Sequence, residues 1–346
     1  MADLLSGSTP LAEFTTLRIG GPADNLAIAR TEEELIEEVR RADAESTPVL
    51  IVSGGSNMLV ADEGFRGTAV VVATRGIEAE ESGEGVDLRV AAGQSWDALV
   101  AHAVGQGWSG VEMLSGIPGL AGAAPVQNIG AYGVEIASAI TGVRAFDRRT
   151  GQVVTFSPGD CRFGYRTSVF KQEQGRHVVL TVDLHLDRRP LSTPVAYSEL
   201  AHRLDVGIGA RVPLGDARRT VMELRRSKGM VLDETDHDTW SAGSFFTNPV
   251  VSAEAAAALP PGAPRFPQPD GSIKTSAAWL IDHAGFHKGY GEGPAALSSK
   301  HVLALTNRGD ATAQDILALA RLIRDGVRAA YGIALEPEPT FVGLSL

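Results

Sequence analysis

Apolar positions repeat at helical spacing in several stretches of this chain, most clearly over residues 313–331. One face of that stretch carries Ile316, Leu319, Ala320, Ile323 and Val327. Thr312 and Asp315 form a capping pair in front of it and Gly332 follows it, which are typical start and stop signals of a helix. The pattern therefore predicts a helix over 313–331.

Among the other stretches, some have a helical pattern and some have a strand pattern. Residues 31–44 and 214–227 predict long helices, the first opening with Thr31 and a run of acidic residues. Shorter helices are predicted at 95–104 and 275–283. Strands are predicted at 49–52, 69–73, 88–92, 143–146, 152–156, 178–186 and 302–306. The prolines of 189–200 and 259–271 predict loops. This mixture indicates an α+β fold.

The composition of the chain excludes several classes of function. The chain has 346 residues, a net charge of -11 and one cysteine, Cys161. Its length predicts two or three domains, and its charge disfavours a nucleic-acid partner. No histidine spacing suggests a metal site. The N-terminus lacks the pattern of a secretion signal, and no apolar run is long enough for a membrane helix. We expect a cytoplasmic protein that binds neither metal nor membrane.

A first candidate segment, Ser53-Gly54-Gly55-Ser56-Asn57, directly follows the predicted strand 49–52. Glycines let backbone amides approach an anion closely, and the serine and asparagine side chains can donate to phosphate oxygens. Ligands also gather at the carboxyl ends of strands in α/β sheets. The alternative is a tight turn that needs glycine only for its positive φ.

A second candidate segment is the glycine-rich stretch 115–133, which has no regular period. Long stretches of this kind are usually functional loops, and a backbone wrapped round a pyrophosphate or a flavin ring needs permissive φ and ψ angles. The alternative is a mobile surface loop. The apolar residues of the stretch, such as Ile117, Val126 and Ile129, favour a packed segment that faces a ligand.

Two further segments place polar groups among apolar neighbours. Arg166 lies between Tyr165 and Val169, and it is either a surface charge or an arginine that binds an anion or polarises an enolate. Ser244 precedes Phe245 and Phe246. It is either a buried serine bonded to backbone or a proton donor assisted by a nearby cation.

Together with several others, these segments resemble the UDP-N-acetylenolpyruvoylglucosamine reductase family over nearly the whole chain, from about Thr15 to Gly343. The matching stretches are Thr15 to Ala23, Gly54 to Asn57, Ala91 to Gly93 with Trp96, Ser115 to Gly133, Tyr165 and Arg166 with Ser168, Phe170 and Lys171, Gly243 to Pro249, Lys274 with Ala277, Trp279, Leu280 and Ile281, and Leu335 to Glu338. An insertion that contains Tyr197 is similar to that of the family's longer subtype.

The resemblance implies a two-subdomain FAD-binding fold of the vanillyl-alcohol-oxidase type followed by a C-terminal α+β substrate domain. The implied domains are 1–72 with the tail 336–346, then 73–212, then 213–335. It also implies that NADPH reduces FAD and that UDP-N-acetylglucosamine enolpyruvate then enters the same face. We expect a monomer.

The resemblance implies a role for each site residue. Hydride passes from flavin N5 to substrate C3, Ser244 protonates C2, and Arg166 and Glu338 stabilise the enolic intermediate. Tyr197, Lys228, Asn248 and Lys288 hold the UDP diphosphate, and His301 touches the substrate. The implied FAD contacts are Ser53, Gly54, Gly55, Ser56, Asn57, Ser115, Gly116, Ile117, Pro118, Gly119, Gly122, Ala123, Gln127, Asn128, Gly130 and Gly133.

The sequence departs from the family pattern at a few places. Ser53 and Ala123 stand where glycine is more usual, and Pro339-Thr340 replaces Val-Arg after Glu338. Because proline fixes φ and removes an N–H group, the orientation of Glu338 is the implied feature most open to change. Two other functions are weighed against the reductase. A flavin oxidase would need a base rather than a proton donor, and a non-catalytic nucleotide-binding protein would not need the three catalytic residue types.

Overall fold

A computed structural model describes residues 2–5 and 9–346 of the chain, except for the side chains of residues 3–5. Met1 and residues 6–8, which belong to the stretch tested above for a secretion signal, lie outside the described residues. The chain divides into two compact units. The first comprises Met1–Thr9, Ala23–Gly55 and Arg66–Val231, and the second comprises Pro10–Pro22, Ser56–Phe65 and Leu232–Leu346. The three-domain division implied by the resemblance stays a prediction.

The α-helices of the described chain are Glu32–Ala44 (α1), Trp96–Gln106 (α2), Val169–Gln172 (α3), Ser198–Leu204 (α4), Leu214–Ser227 (α5), Ala253–Ala257 (α6), Ala277–His283 (α7) and Ala313–Tyr331 (α8). Short 3-10 helices are found at Leu11–Phe14, Glu112–Leu114, Ala121–Ala123, Ile136–Ser138 and His237–Thr239.

The strands are Asp3–Leu5 (β1), Ala23–Ala29 (β2), Val49–Val52 (β3), Met58–Val60 (β4), Phe65–Val72 (β5), Ile77–Ser82 (β6), Gly85–Ala91 (β7), Trp108–Ser109 (β8), Gly130–Ala131 (β9), Val134–Glu135 (β10), Ile140–Asp147 (β11), Gln152–Phe156 (β12), His177–Arg188 (β13), Val250–Val251 (β14), Phe266–Pro267 (β15), Ile273–Lys274 (β16), Ala295–Leu297 (β17), Leu305–Asn307 (β18) and Thr340–Val342 (β19). The α+β class is confirmed.

The first unit contains two main sheets. In the four-stranded sheet the order is β1-β2-β5-β3, and β3 runs parallel to β5. The larger sheet has the order β12-β11-β13-β7-β6, with β8 also paired to β13. Its central strand β13 is almost continuously buried along its first half. The core packs the buried faces of both sheets with helices α1 and α2, including the fully buried Trp96.

The second unit builds its core around α8. Thr312 and Asp315 form a reciprocal capping box at the start of this helix, and Gly332 ends it in the left-handed conformation with φ 70°, as predicted. Its apolar face packs with residues of α7, β17 and β18. Strand β19, near the carboxyl end of the chain, pairs in parallel with β4.

Most predicted elements are confirmed within a few residues, including α1, α5, α8, β3 and the hairpin formed by β11 and β12. Three predictions are wrong in part. The stretch 259–271, predicted to be a loop, contains the short strand β15, which pairs with β16. The stretch 189–200, predicted to be a loop, contains the start of α4. The predicted strand 302–306 begins only at Leu305, because the preceding residues form a turn in which Ser298 donates to the carbonyl of Ala304.

None of the helices in the described part of the chain combines the length and the apolar character that crossing a membrane requires. The described residues also contain no group of three or more histidine, cysteine or acidic side chains suited to a metal ion.

Candidate functional site

The two glycine-rich segments meet within the first unit. Strand β3 ends at Val52 and leads into Gly54 and Gly55, whose φ angles of 75° and 52° are left-handed. A side-chain carbon added to Gly54 would lie only 2.8 Å from the Cα atom of Gly119. The loop after β3 is therefore in close backbone contact with the second segment, as a single ligand site built from both would require.

Two residues that belong to these segments each have a buried polar atom with no hydrogen-bond partner among the residues that the structure describes. The atoms are Oγ of Ser53 and Oε1 of Gln127. Leaving a buried polar group unpaired costs about 1–3 kcal/mol, so each of these atoms calls for a partner such as an ordered water or a polar ligand. Both residues belong to the predicted set of FAD contacts, and this chemistry fits a cofactor that carries amide, hydroxyl and phosphate groups.

Gly116 is held by the protein itself. Its amide donates to Oδ1 of Asp97 at 2.6 Å, and Arg218 donates to both oxygens of the same carboxylate at 2.6 and 2.9 Å. Burial acts to raise the pKa of Asp97, but these hydrogen bonds outweigh it and hold the pKa below its usual range. A side chain at Gly116 would meet Sδ of Met222 at 2.6 Å. Helix α5 therefore sets the position of this loop, and the amide of Gly116 is already in use.

The rest of the second segment is packed rather than mobile. Gly122 donates to the carbonyl of Ala92, and an added side chain there would meet Ala92 Cβ at 2.6 Å. Asn128 is fully buried with a positive φ of 46°. Its amide group donates to Glu135 at 2.7 Å and to Gly164 at 3.2 Å. The prediction of a packed segment is confirmed, and the side chain of Asn128 braces the loop.

Arg166 is a half-buried residue with a left-handed backbone, φ 54°. This conformation is uncommon and strained for a large side chain. Its Nη2 atom donates to the carbonyl of Gly130 at 3.0 Å, and Nζ of Lys171 donates to the carbonyl of Arg166 at 3.1 Å. The guanidinium therefore lies against the glycine-rich segment of its own unit, which does not fit the alternative of a solvated surface charge.

In the second unit, the segments that carry Ser244 and Glu338 are paired through their backbones. The amide of Glu338 donates to the carbonyl of Phe245 at 2.8 Å, and Phe246 and Pro337 form a β-bridge. The carbonyl of Glu338 accepts a hydrogen bond from Nδ2 of Asn57 at 3.2 Å. Two of the three predicted catalytic residues are thus on adjacent segments.

Pro339 does not disturb this arrangement, because both backbone groups of Glu338 keep a partner. On the far side of the proline, Thr340 donates to the carbonyl of Asn57 at 3.0 Å and β19 begins. The asparagine, predicted as an FAD contact, therefore holds both sides of the Glu338 segment. Phe245 and Phe246 are fully buried whereas Ser244 is partly exposed. Ser244 is therefore not the buried serine that the alternative hypothesis describes.

The predicted substrate residues of the first unit are Tyr197 and Lys228. Tyr197 is 43 % exposed at the start of α4, and its ring meets that of Tyr132 edge-on at 5.6 Å. Burial raises the pKa of Tyr132 to about 12. Nζ of Lys228 lies 2.5 Å from Oε2 of Glu199, also on α4. Helix α4, which the sequence did not predict, thus begins directly after Tyr197 and contacts Lys228 through Glu199.

The predicted substrate residues of the second unit are Asn248, Lys288 and His301. Oδ1 of Asn248 accepts the amide of Ala277 at 3.0 Å and so helps to cap α7. Lys288 is exposed. The amide of His301 donates to Oγ of Ser298 at 3.2 Å. The side chain of Asn248 therefore has a structural partner in addition to its predicted role.

Arg225 is a candidate that sequence reasoning missed. Its Nη2 atom donates to the carbonyl of Met230 at 2.8 Å, and its buried Nε atom has no hydrogen-bond partner within the described chain. Burial lowers the pKa of this arginine. A side chain at Gly116 would lie 3.3 Å from it. Arg218 and Arg225 are seven residues apart and so share one face of α5, a spacing that could have identified them.

Comparison with known proteins adds the following. Residues 23–157 match a family model described as FAD binding domain, and residues 234–342 match one described as UDP-N-acetylenolpyruvoylglucosamine reductase, C-terminal domain. The chain is 54 % identical to the UDP-N-acetylenolpyruvoylglucosamine reductase of Cutibacterium acnes, over 99 % of this chain and 92 % of that protein. It is 53 % identical to that of Streptomyces coelicolor, over 97 % and 90 %.

A similar solved structure is that of UDP-N-acetylenolpyruvylglucosamine reductase from Thermus caldophilus. It superposes with a TM-score of 0.67 at 28 % identity and covers 99 % of this chain and 98 % of that one. Together with the two family models, this similarity confirms the predicted FAD-binding fold followed by a C-terminal α+β region.

Proposed function

The chain belongs to the UDP-N-acetylenolpyruvoylglucosamine reductase family, and we propose that it reduces UDP-N-acetylglucosamine enolpyruvate to UDP-N-acetylmuramate, with NADPH as reductant and FAD as mediator. As a member of that family it is an oxidoreductase. Relatives of this name match it over nearly its whole length. The observation within the chain that carries the proposal is the backbone pairing that sets Glu338 beside the Ser244 segment, at the carbonyl of Phe245.

The residues that would hold FAD are those of the two contacting glycine loops. Gly54 and Gly119 allow close backbone approach, and Oγ of Ser53 and Oε1 of Gln127 are the buried atoms that can bond to it. Arg225 adds a positive charge beside Gly116. When bound, FAD supplies the hydride chemistry, and the protein supplies binding and orientation.

The proton chemistry is assigned to Ser244. Hydride addition at C3 of the enol ether places negative charge on the substrate carboxylate and C2, and C2 must then take up a proton. A partly exposed serine hydroxyl at the edge of a phenylalanine cluster can deliver one to C2, and the alkoxide left behind then takes up a proton from solvent. We assign Glu338 and Arg166 to stabilising the enolic intermediate. The guanidinium of Arg166 is a preorganised donor suited to this developing charge, and one such donor commonly contributes about 2.7–4 kcal/mol of transition-state stabilisation.

The diphosphate of the substrate is assigned to Tyr197, Lys228, Asn248 and Lys288, with His301 as a further contact. Two lysines and a phenol suit a doubly charged diphosphate. In the structure Lys228 is paired with Glu199, so we propose that it exchanges this carboxylate for the diphosphate when substrate binds. A cytoplasmic location and a monomeric state are part of the same proposal.

The test is the visible flavin spectrum of the purified protein under anaerobic conditions. NADPH is added first and the enolpyruvyl sugar nucleotide second. We expect NADPH to bleach the flavin band and the enolpyruvyl compound to restore it. Bleaching that is reversed only by air would indicate an oxidase instead. Absence of a flavin band even after added FAD would contradict the assignment of the cofactor.

A further inference from the structure

One tight turn in the second unit carries one proposed substrate residue and is bonded to the segments that carry two other proposed site residues. It spans residues 298–304, between β17 and β18. His301, within it, donates its amide to Oγ of Ser298. Gly289, which follows Lys288, donates to the carbonyl of Ser298 at 3.0 Å. Phe245, which follows Ser244, donates to the carbonyl of Leu303 at 2.7 Å. The position of this turn therefore sets the backbone at all three.

Asp238 fixes the position of this turn. It belongs to the short helix His237–Thr239, and it lies outside every segment that the sequence predicts to form the site. The side chain of Asp238 is only 7 % exposed. Its carboxylate accepts hydrogen bonds from Oγ of Ser298 at 3.0 Å and from both the amide and the hydroxyl of Ser299 at 2.9 Å. Arg308 lies against the same carboxylate at 3.0 Å.

The direction of these hydrogen bonds gives Asp238 control over the turn. Because an ionised carboxylate can only accept, the hydroxyl of Ser298 must point its hydrogen at Asp238. Its lone pairs are then free to accept the amides of Lys300 at 3.0 Å and His301 at 3.2 Å. Hydrogen bonds to a charged acceptor are about twice as strong as neutral ones, so the buried carboxylate fixes the orientation of the whole turn.

We propose that Asp238 is a positioning residue for the substrate half of the reaction, acting through Ser298 on the segments of Ser244, Lys288 and His301. This inference rests on the proposed function, since it assumes that these three residues serve the enolpyruvyl substrate. It assigns Asp238 no contact with substrate or flavin. A misplacement of about 1 Å can cost about 100-fold in rate, so a carboxylate that fixes this turn is expected to affect catalysis as well as stability.

The test compares Asp238→Asn with two matched variants in the intact flavoprotein. Arg308→Met breaks the ion pair and the hydrogen bond from Nη2 to the carbonyl of Leu297 at 3.1 Å, but it leaves the Asp238 carboxylate and its serine donors in place. Asp236→Asn removes a charge that contacts the same turn through Nζ of Lys300 at 2.6 Å, but it leaves the serine bonds of Asp238 in place. The asparagine oxygen can still accept the amide of Asp238 at this cap position. Each protein is assayed for FAD content, thermal midpoint, flavin reduction by NADPH and anaerobic reoxidation by the enolpyruvyl sugar nucleotide.

We expect Asp238→Asn to slow reoxidation about 10- to 100-fold and to raise KM for the enolpyruvyl compound, with FAD content and reduction by NADPH close to wild type. Asp238→Asn and Arg308→Met should lower the thermal midpoint to a similar extent, but Arg308→Met should have a much smaller effect on reoxidation. Asp236→Asn should be reoxidised at close to the wild-type rate, because the serine bonds that orient the turn remain. If Asp238→Asn does not fold, Ser299→Ala, which removes one donor only, should give the same selective loss to a smaller degree.

Three results would count against the inference, and the last is distinguishable from the first two. Equal reoxidation rates in Asp238→Asn and Arg308→Met at equal thermal midpoints would reduce Asp238 to a structural residue. If Asp238→Asn does not fold and Ser299→Ala is used in its place, a wild-type reoxidation rate in the folded Ser299→Ala variant would lead to the same conclusion. A wild-type protein that the enolpyruvyl compound does not reoxidise would overturn the proposed function, and the positioning role with it.

Discussion

The glycine loops of the first unit and the Ser244–Glu338 segments of the second unit are built in opposite ways. In the glycine loops, what matters is the absence of side chains. Gly54 faces Gly119, Gly116 faces Met222 and Gly122 faces Ala92 at distances that leave no room for a further carbon. In the Ser244–Glu338 segments, backbone bonds define the geometry and the chemistry is left to the side chains.

This difference teaches which changes each region tolerates. A substitution that adds a side chain to a glycine loop should act on cofactor binding before it acts on catalysis. A substitution that trims Ser244 or Glu338 leaves the backbone pairing intact, so it should act on catalysis alone. Measuring FAD content and the two half-reactions separately therefore distinguishes the two regions.

The largest effect is expected for Ser244→Ala. Loss of a positioned proton donor commonly costs about 10²- to 10⁴-fold in rate, and we expect a loss in this range for flavin reoxidation by the enolpyruvyl substrate. Flavin reduction by NADPH should be unchanged, because that step takes no proton from this serine. Stopped-flow absorbance measures both steps, and loss of both would argue against the role as proton donor.

The next largest effect is expected for Arg166→Lys. Lysine keeps the charge but loses the planar fork, and it must also adopt the strained left-handed backbone of this position. We expect about a 100- to 1,000-fold loss in the rate of flavin reoxidation by substrate with normal FAD content. Arg162→Lys is a suitable control, since Arg162 also has a positive φ and pairs with Glu173 at 3.0 Å. Equal losses in both variants would point to backbone strain.

A smaller effect, confined to the cofactor, is expected for Gly54→Ala. The added carbon would lie 2.8 Å from Gly119 in a backbone that favours glycine, and overpacking of this kind costs about 1–3 kcal/mol. We expect weaker FAD binding, measured by quenching of flavin fluorescence. Gly151→Ala has a similar φ of 69° and open space around it, so it should bind FAD normally. Equal weakening in both would contradict a specific clash.

The smallest effect is the pH dependence that arises from Asp97. Its pKa in the folded protein lies below the ordinary value of 3.8, so its stabilising bonds to Gly116 and Arg218 are complete above that value. They are lost as the pH falls through the lowered pKa. We expect FAD release to increase in that acidic range, and Asp97→Asn to bind FAD more weakly at neutral pH with a flatter acid profile. Identical acid profiles would exclude Asp97 as the cause.

Local signals in the sequence predicted the helices that carry caps and a regular apolar face. The capping box and the αL glycine of α8 are both readable from its residues. Helix α4 was missed because Pro190 and Pro194 precede it closely and suggest a loop. Strand β6 was missed because it is an exposed edge strand, with the charged sequence Ile-Glu-Ala-Glu-Glu-Ser, rather than an apolar run.

The candidate site was harder to predict because its key contacts join distant parts of the chain. The glycine segments are recognisable one by one, but nothing local shows that Gly54 touches Gly119. The use of the Gly116 amide by Asp97 depends on the position of α5 and Arg218. The role of Asp238 could not be predicted from the sequence. Its two serine partners are about 60 residues away, and nothing in the local sequence distinguishes a buried aspartate from an exposed one.

The bond between Asn57 and Glu338 has a consequence for how the protein is made. The two residues are 281 positions apart, and a ribosome adds about 5–20 residues per second. Roughly 14–56 s therefore separate their synthesis. The glycine loops of the first unit are complete much earlier, but β4 cannot pair with β19 until Thr340–Val342 has left the ribosome. During translation, the strand pair that seats Glu338 thus forms only after every other helix and strand described above has been synthesised.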